Sequence, residues 1–298
     1  MNRVILFGRI DYKNKRAITF ARDEYIRFYE TKAKGDSAFK PEDIFGEDLE
    51  ADIDVLHLEF ERKIHEASNK TLSNTLNGMR MLMQFAIAGR MDLFVLEAGE
   101  LPRQEVLLVD NDKTVVHAYN AGMEALEEER YEDAIGPLTD AIAKFASHPW
   151  AHDARGLAYL ELGKLDEAEA DFKSAREIYR ALPSPHLGLA KIAHARGERA
   201  ATIDNCDRAM KGSIPHQPGH WISALFKARV LMDSVEEGKG DAEEVRSYLS
   251  IAKTILERYA SKLRQLGSAW NSHYPSEEEL EALQARLTEL RSAATADA

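Results

Sequence analysis

The sequence predicts a mainly α-helical chain, a solenoid of helix hairpins preceded by a small α+β domain. Three observations predict it. Between about residues 114 and 212 the sequence resembles itself at an offset of about 34 residues. Residues 1–111 do not repeat, and they mix short apolar runs with one amphipathic run. After residue 213 two long amphipathic stretches continue the helical pattern but break the length of the repeat. The 298 residues thus divide into an α+β domain at 1–111, three repeats at 112–213, and an enlarged helix pair with a terminal helix at 214–298.

The repeat rests on three windows, Ala118–Ala141, His152–Ala175 and His186–Ala209. Gly122, Gly156 and Ala190 fall in register. So do Ala134, Ala168 and Thr202, and again Ala141, Ala175 and Ala209. Each window reads as two amphipathic helices joined by a tight turn. Small residues on the first helix let the second lie close, and Leu138, Tyr159 and Phe172 fill the space between neighbours. Gly163 and Gly197 end first helices, where a left-handed backbone costs glycine little. Pro149 and Pro183 follow second helices, and Pro185 sits near the start of the next, where proline is tolerated. One such hairpin cannot hide its own apolar face, whereas about three stacked together can.

This register resembles the tetratricopeptide repeat, most closely in the second window and least in the third, which lacks large aromatics. The resemblance implies a right-handed superhelix whose concave face is lined mainly by first helices. Projected onto that face are Tyr119, Asn120, Met123, Leu126 and Glu127 in the first repeat. The second contributes Trp150, Asp153, Leu157 and Leu160, and the third Leu187, Lys191 and His194. Leu126, Leu157 and Leu160 have an equal claim to pack between helices. The repeat-packing set is Gly122, Ala134, Ala141, Gly156, Ala168, Phe172, Ala175, Ala190 and Ala209. Family members that grip a C-terminal carboxylate do so with lysine, arginine and asparagine. Here only Asn120 and Lys191 suit that chemistry, and Asp153 and Glu127 oppose it. A groove of Trp, Tyr, Met and Leu instead favours an apolar peptide or amphipathic helix, with Trp150 as its expected anchor.

Upstream, Val4–Phe7, Arg16–Phe20, Leu93–Leu96 and Val106–Val109 read as strands, and strands from the two ends of the domain can pair. Asp23–Glu30 reads as a strand or short helix, Ala33–Ala51 as an exposed loop, and Asp54–Phe60 as either strand or helix. Thr71–Arg90 reads as a helix. Downstream, Lys211–His220 reads as a linker with two prolines and two glycines. Helices then span about Gly219–Glu236 and Asp241–Gln265. Ser276–Glu279 is a capping-box pattern, and Leu280, Leu283, Leu287 and Leu290 form a stripe. That stripe favours a terminal cap over a short coiled coil, since two heptads are few.

Composition narrows the function. Lys and Arg number 39 against 51 Asp and Glu, for a net charge of −12, which argues against a general binder of nucleic acids or anionic membranes. Residues 115–183 are the acidic part, with 7 basic and 14 acidic side chains; residues 184–264 reverse this with 13 and 10. Cys206 is the single cysteine, so an intrachain disulfide and a multi-cysteine zinc site are excluded. The opening apolar run is too short for a signal peptide, and no stretch of 18 apolar residues exists. A cytoplasmic protein is expected.

Enzymatic signals are weak. Gly8 follows an apolar strand without the further glycines of a phosphate loop. Val106–Asp110 with Asp112 resembles the opening strand of a receiver domain, but the acceptor aspartate would fall inside the repeats. The two aspartates read instead as strand-end and helix-cap residues. His57 and His65 are the only histidines of the first domain. His148 with His152, and His216 with His220, are separated by proline and lack an acidic ligand set. Cys206 reads as a buried thiol. The expectation is a non-enzymatic scaffold or adaptor that binds a peptide or helix of a partner protein. It has no cofactor, no metal, no nucleic acid and no membrane insertion, and its oligomeric state stays open. The alternatives are a chaperone-like holder of an exported or assembling subunit, and an enzymatic or ligand-sensing amino-terminal domain.

Overall fold

The structure, a computed structural model, describes residues 2–51, 53–96, 103–109, 113–213, 218–238, 240–265, 281–286 and 288–289. It forms two compact units. One comprises Met1–Ala125 with Asp133–Ala151, the other Leu126–Glu132 with His152–Ala298. The first helical hairpin therefore groups with the amino-terminal sheet, and the boundary does not fall at residue 112.

The first unit begins with β1 (Asn2–Asp11), α1 (Lys15–Phe28), α2 (Pro41–Phe45), β2 (His57–Ala67), α3 (Asn69–Met83), β3 (Ala88–Leu96) and β4 (Arg103–Leu108). The sheet is antiparallel throughout, in the order β2-β1-β3-β4, so the first and last strands do not pair with each other. Strand alternation sends Val4, Leu6 and Ile10 of β1, and Met91, Leu93 and Val95 of β3, to one face. There they meet Ile18, Ala21 and Tyr25 of α1 and Leu72, Met79 and Leu82 of α3 in one apolar core. The other face carries ion pairs along single strands. Arg9 Nη2 lies 2.8 Å from Asp11, and Arg90 Nε lies 2.8 Å from Asp92. Arg9 and Arg90 are directly opposite in the β1–β3 register. A methyl group on Gly8 would come within 2.2 Å of the Arg90 carbonyl oxygen, and one on Gly89 within 2.8 Å of that of Arg9. Gly-Arg-Ile-Asp at 8–11 and Gly-Arg-Met-Asp at 89–92 are thus the same device used twice.

Four expectations for this region change. Arg16–Phe20 is helix, not strand. Asn14 caps α1 by accepting the Ala17 N–H at 3.0 Å, and Ile18, Ala21, Tyr25 and Phe28 form a buried helical stripe that leaves Phe20 outside. Asp23–Glu30 continues that helix into a π-helical turn, Tyr29–Ala33. The segment 33–51 is not merely an exposed loop, because Phe39 and Ala33 are buried and the Tyr25 hydroxyl donates to the Phe39 carbonyl at 2.8 Å. The helix read over Thr71–Arg90 stops at Met83, and Ala88 onward is strand. The Ile87 N–H donates to the Asp11 carbonyl at 2.8 Å and draws the chain into the sheet. Asp54–Phe60, left open between two readings, enters β2 at His57. Asp110 and Asp112 lie outside the described residues.

Hairpins follow. The first, α4 (Lys113–Glu127) and α5 (Tyr131–Lys144), belongs mainly to the first unit. Next come α6 (Pro149–Glu161), α7 (Leu165–Ile178), α8 (Ser184–Ala195), α9 (Arg199–Gly212), α10 (Pro218–Glu236) and α11 (Ala242–Gln265). Within the second unit α8 contacts α7 and α9, and α10 contacts α8, α9 and α11, which is the nearest-neighbour pattern of a solenoid. Gly163 and Gly197 take φ of +73° and +74° at the turns between the helices of the second and third hairpins. Residues 211–220 are less of a linker than expected, since α9 runs to Gly212 and Pro218 opens α10. The fourth hairpin keeps the register at its start, because Ala224, one repeat after Ala190, is also 0% exposed. Its α10 is 19 residues long against 12 for α8. Lys227 joins three helices. Its Nζ donates to Asp207 of α9 at 2.7 Å and to the Tyr248 hydroxyl of α11 at 2.7 Å. Helical residues 281–286 lie against this hairpin, with Leu283 clustered with Leu225, Ala228, Met232, Val245 and Leu249, and Arg286 paired to Glu236. Ser276–Glu279 and Leu280, Leu287 and Leu290 lie outside the described residues.

Candidate functional site

The hairpins leave two kinds of first-helix surface, one used to pack and one left over. Packing repeats at equivalent positions. A Cβ on Gly122 would lie 2.4 Å from Leu138 Cγ, and one on Gly156 would lie 3.0 Å from the Phe172 ring. Leu138 and Phe172 are themselves one repeat apart. One repeat on, Ala190 and Cys206 stand at the corresponding positions and are both 0% exposed, a larger residue on the first helix and a smaller one on the second. Burial pushes the Cys206 thiol up to about 12, which leaves it a packing group rather than a nucleophile. Gly122, Ala134, Ala141, Gly156, Ala168, Phe172, Ala175, Ala190 and Ala209 are all buried. The hairpins have the tetratricopeptide-repeat fold.

No family model matches the chain, and no curated protein matches it. Solved structures similar to it include the tetratricopeptide domain of Arabidopsis OM64, at 17% identity over 40% of this chain and 94% of that one, with a TM-score of 0.37. YrrB, described as a tetratricopeptide protein with an unusual peptide-binding site, is 14% identical over 61% and 89%, with a TM-score of 0.39. A tetratricopeptide repeat protein from Parabacteroides merdae is 19% identical over 58% and 71%, with a TM-score of 0.35.

The leftover surface differs between the units. In the first, Asn120 is exposed and Met123 half-buried. The two aromatics expected to meet a partner flank His148 instead. The Tyr119 ring lies 4.9 Å from the imidazole, and Trp150 meets it edge-on at 6.1 Å. His148 Nδ1 accepts the Ala151 N–H at 3.1 Å, so it caps the start of α6. Trp150 is only 7% exposed. It has a packing environment, and its expected role as an open anchor is corrected.

In the second unit Asp153, Leu157 and Leu160 stand at i, i+4 and i+7 on α6, one face of a helix, and are half-buried. Leu187, Lys191 and His194 repeat that face one period on, along α8. Leu187 is half-buried, Lys191 and His194 are exposed, and His194 meets Phe226 of α10 edge-on at 5.2 Å. Asp153 accepts a hydrogen bond from the Ser184 hydroxyl, which ties the α6 column to the start of α8. Leu160 also packs against the cluster of Ala168, Phe172, Leu189 and Ile192. Leu126 is half-buried and Glu127 exposed.

Behind this face lies a polar network that the sequence reading missed. Asp171 is buried, and Arg155 donates to it from Nε at 2.7 Å and from Nη2 at 2.8 Å. His152 Nδ1 lies 3.0 Å from the same carboxylate. Burial raises the Asp171 pKa, but Arg155 and His152 outweigh it and hold the carboxyl below its ordinary value. The readable signal was positional: His152, His186 and His220 recur at the period of the repeat, as do Asp171 and Asn205. Among the described residues no cluster of His, Cys, Asp or Glu is placed to hold a metal ion, and no helix is long and apolar enough to cross a membrane.

Proposed function

We propose that the chain is a protein-interaction scaffold. Its working surface is the column Asp153, Leu157, Leu187, Lys191 and His194 on α6 and α8, and it receives a peptide or helix of a partner. One observation carries this reading. The same helical face recurs one repeat apart with Leu157 and Leu187 half-buried and Lys191 and His194 exposed, while Gly156 and Gly188 on the packing faces of the two helices already meet Phe172. Rigid hairpins hold that face in place, so a partner meets it without ordering it first. Apolar half-exposed leucines beside a lysine and an imidazole suit an amphipathic segment.

The test compares partners recovered by the intact chain with those recovered by Leu157→Glu/Leu187→Glu, followed by the affinity of the recovered partner's segment for each. The double variant is expected to keep its helical circular dichroism and to weaken binding by about 2 kcal/mol or more, a factor of roughly thirty. A folded double variant that binds as tightly as the parent overturns the assignment.

A further inference from the structure

The first hairpin differs from the second at the three positions that form the polar network of the second. His152, Arg155 and Asp171 close the space between α6 and α7. Their counterparts one repeat earlier are Ala118, Ala121 and Pro137. In the third hairpin His186 and Leu189 are both buried at the corresponding first-helix positions. In the first hairpin α4 and α5 form an open cleft of about 480 Å³ whose lining includes the two alanines and the proline. Thr114, His117, Asp140 and Lys144 complete the lining. Thr114, His117 and Ala121 lie on the side of α4 turned away from Tyr119 and Met123, so the cleft is separate from the first-helix face that those two residues occupy.

Two further features mark it. Pro137 is the seventh residue of α5 and follows Gly136, the two least favourable residues for a helix interior. Outside its chain neighbours and its own helix backbone, no atom lies within 4 Å of where a Gly136 side chain would begin, so packing against other elements does not require that glycine. A local rule broken without a packing gain is where function is expected. Its lining also holds one carboxylate, Asp140, and one lysine, Lys144. Lys144 is turned to the Thr114 carbonyl, donating at 3.2 Å. Asp140 is exposed and has no ionic or hydrogen-bonding partner among the described residues.

We propose that this cleft receives an arginine side chain of a partner polypeptide. The methylenes lie on Ala118, Ala121 and Pro137, and the guanidinium pairs with Asp140, much as Arg155 fills the second hairpin against its own carboxylate. Arginine suits the site because its planar head pairs with a carboxylate in a fixed fork while its stem covers apolar surface.

The test titrates N-acetyl-arginine amide into the full, isotopically labelled chain and follows backbone amide shifts. Saturable shifts centred on Ala118, Ala121 and Asp140 are expected. They should be at least about tenfold weaker with N-acetyl-citrulline amide, which has the shape without the charge. They should vanish in Asp140→Asn and in Ala121→Arg, which fills the cleft from within. Both positions are exposed, and should Ala121→Arg misfold, Asp140→Asn decides alone. The proposal falls if no saturable shift appears, if citrulline matches arginine, or if Asp140→Asn binds like the parent. It also falls if N-acetyl-glutamate amide moves these residues instead, because the cleft would then read carboxylates through Lys144 and His117.

Discussion

Replacing Gly188 by alanine sets two forces of known sign against each other. In a free helix the change gains about 1 kcal/mol. Here the new methyl would lie 2.4 Å from both Cε2 and Cζ of Phe172 and 2.8 Å from Cδ2. The ring cannot retreat, because Phe172 is 2% exposed and is packed among Ala168, Leu189 and Ile192. Overpacking of this kind costs about 1–3 kcal/mol, and contact with two ring atoms belongs at the upper end. The net expectation is a loss of about 2 kcal/mol. Phe172→Leu alone should cost about 1.5 kcal/mol by leaving space, but combined with Gly188→Ala it removes the clash. The double variant should therefore be about 3 kcal/mol more stable than the sum of the single losses implies. Urea unfolding of the parent, both single variants and the double variant, followed by circular dichroism, measures the cycle. If Gly188→Ala is neutral or stabilising, or if the cycle is additive within about 0.5 kcal/mol, the inferred α7–α8 packing is wrong.

Trp150→Ala should now act on stability first. A tryptophan that is 7% exposed loses about 3 kcal/mol or more on truncation, and a melting temperature equal to the parent's would restore Trp150 to the open surface. Acid should weaken the fold through His186. Burial, with Arg176 and Arg208 nearby, holds its pKa below the ordinary 6.5, against the opposing pull of the Asn205 hydrogen bond and Asp204. Below pH 6.5 the unfolded chain therefore binds a proton that the folded chain refuses. Stability is full above that pH and falls as pH drops toward the folded value, by at most about 1.4 kcal/mol per unit. His186→Gln should flatten this slope between about pH 7 and pH 5, and unfolding free energies with the same slope in both proteins would exclude His186 as its source. Asp171 does not confound that window, because its depressed pKa places its own loss below the ordinary carboxylate value of 3.8.

The parts of the fold that were legible depend on neighbours close in sequence. A helix stripe and a turn glycine are local, and three copies at one spacing raised a faint pattern above noise, which is why Gly122, Gly156 and Ala190 could be placed at equivalent crossings. The misread parts depend on distant partners. Ile18 and Thr19 suggest a strand by their branched side chains, and only the longer stripe through Tyr25 and Phe28, meeting a sheet whose other three strands come later in the chain, makes them helix. Ala86–Arg90 continues a helical pattern until Asp11, on the far side of α1 and α3, takes the Ile87 N–H. Trp150 reads as an anchor because its local sequence, which includes His148, does not show Tyr119 of α4 beside that imidazole.

The candidate sites teach the complementary lesson. Aligning the windows for what they share finds the packing residues, and packing residues are the ones least free to serve a partner. Function is better sought where the windows disagree. Ala118, His152 and His186 occupy one position of the repeat, as do Pro137, Asp171 and Asn205 on the second helix. With the backbone common to all, each difference has a direct physical consequence: a carboxylate held by Arg155 in one hairpin, and an unfilled cleft beside the exposed Asp140 in another. A shared scaffold cannot account for that cleft, and stability alone does not favour proline in the middle of α5.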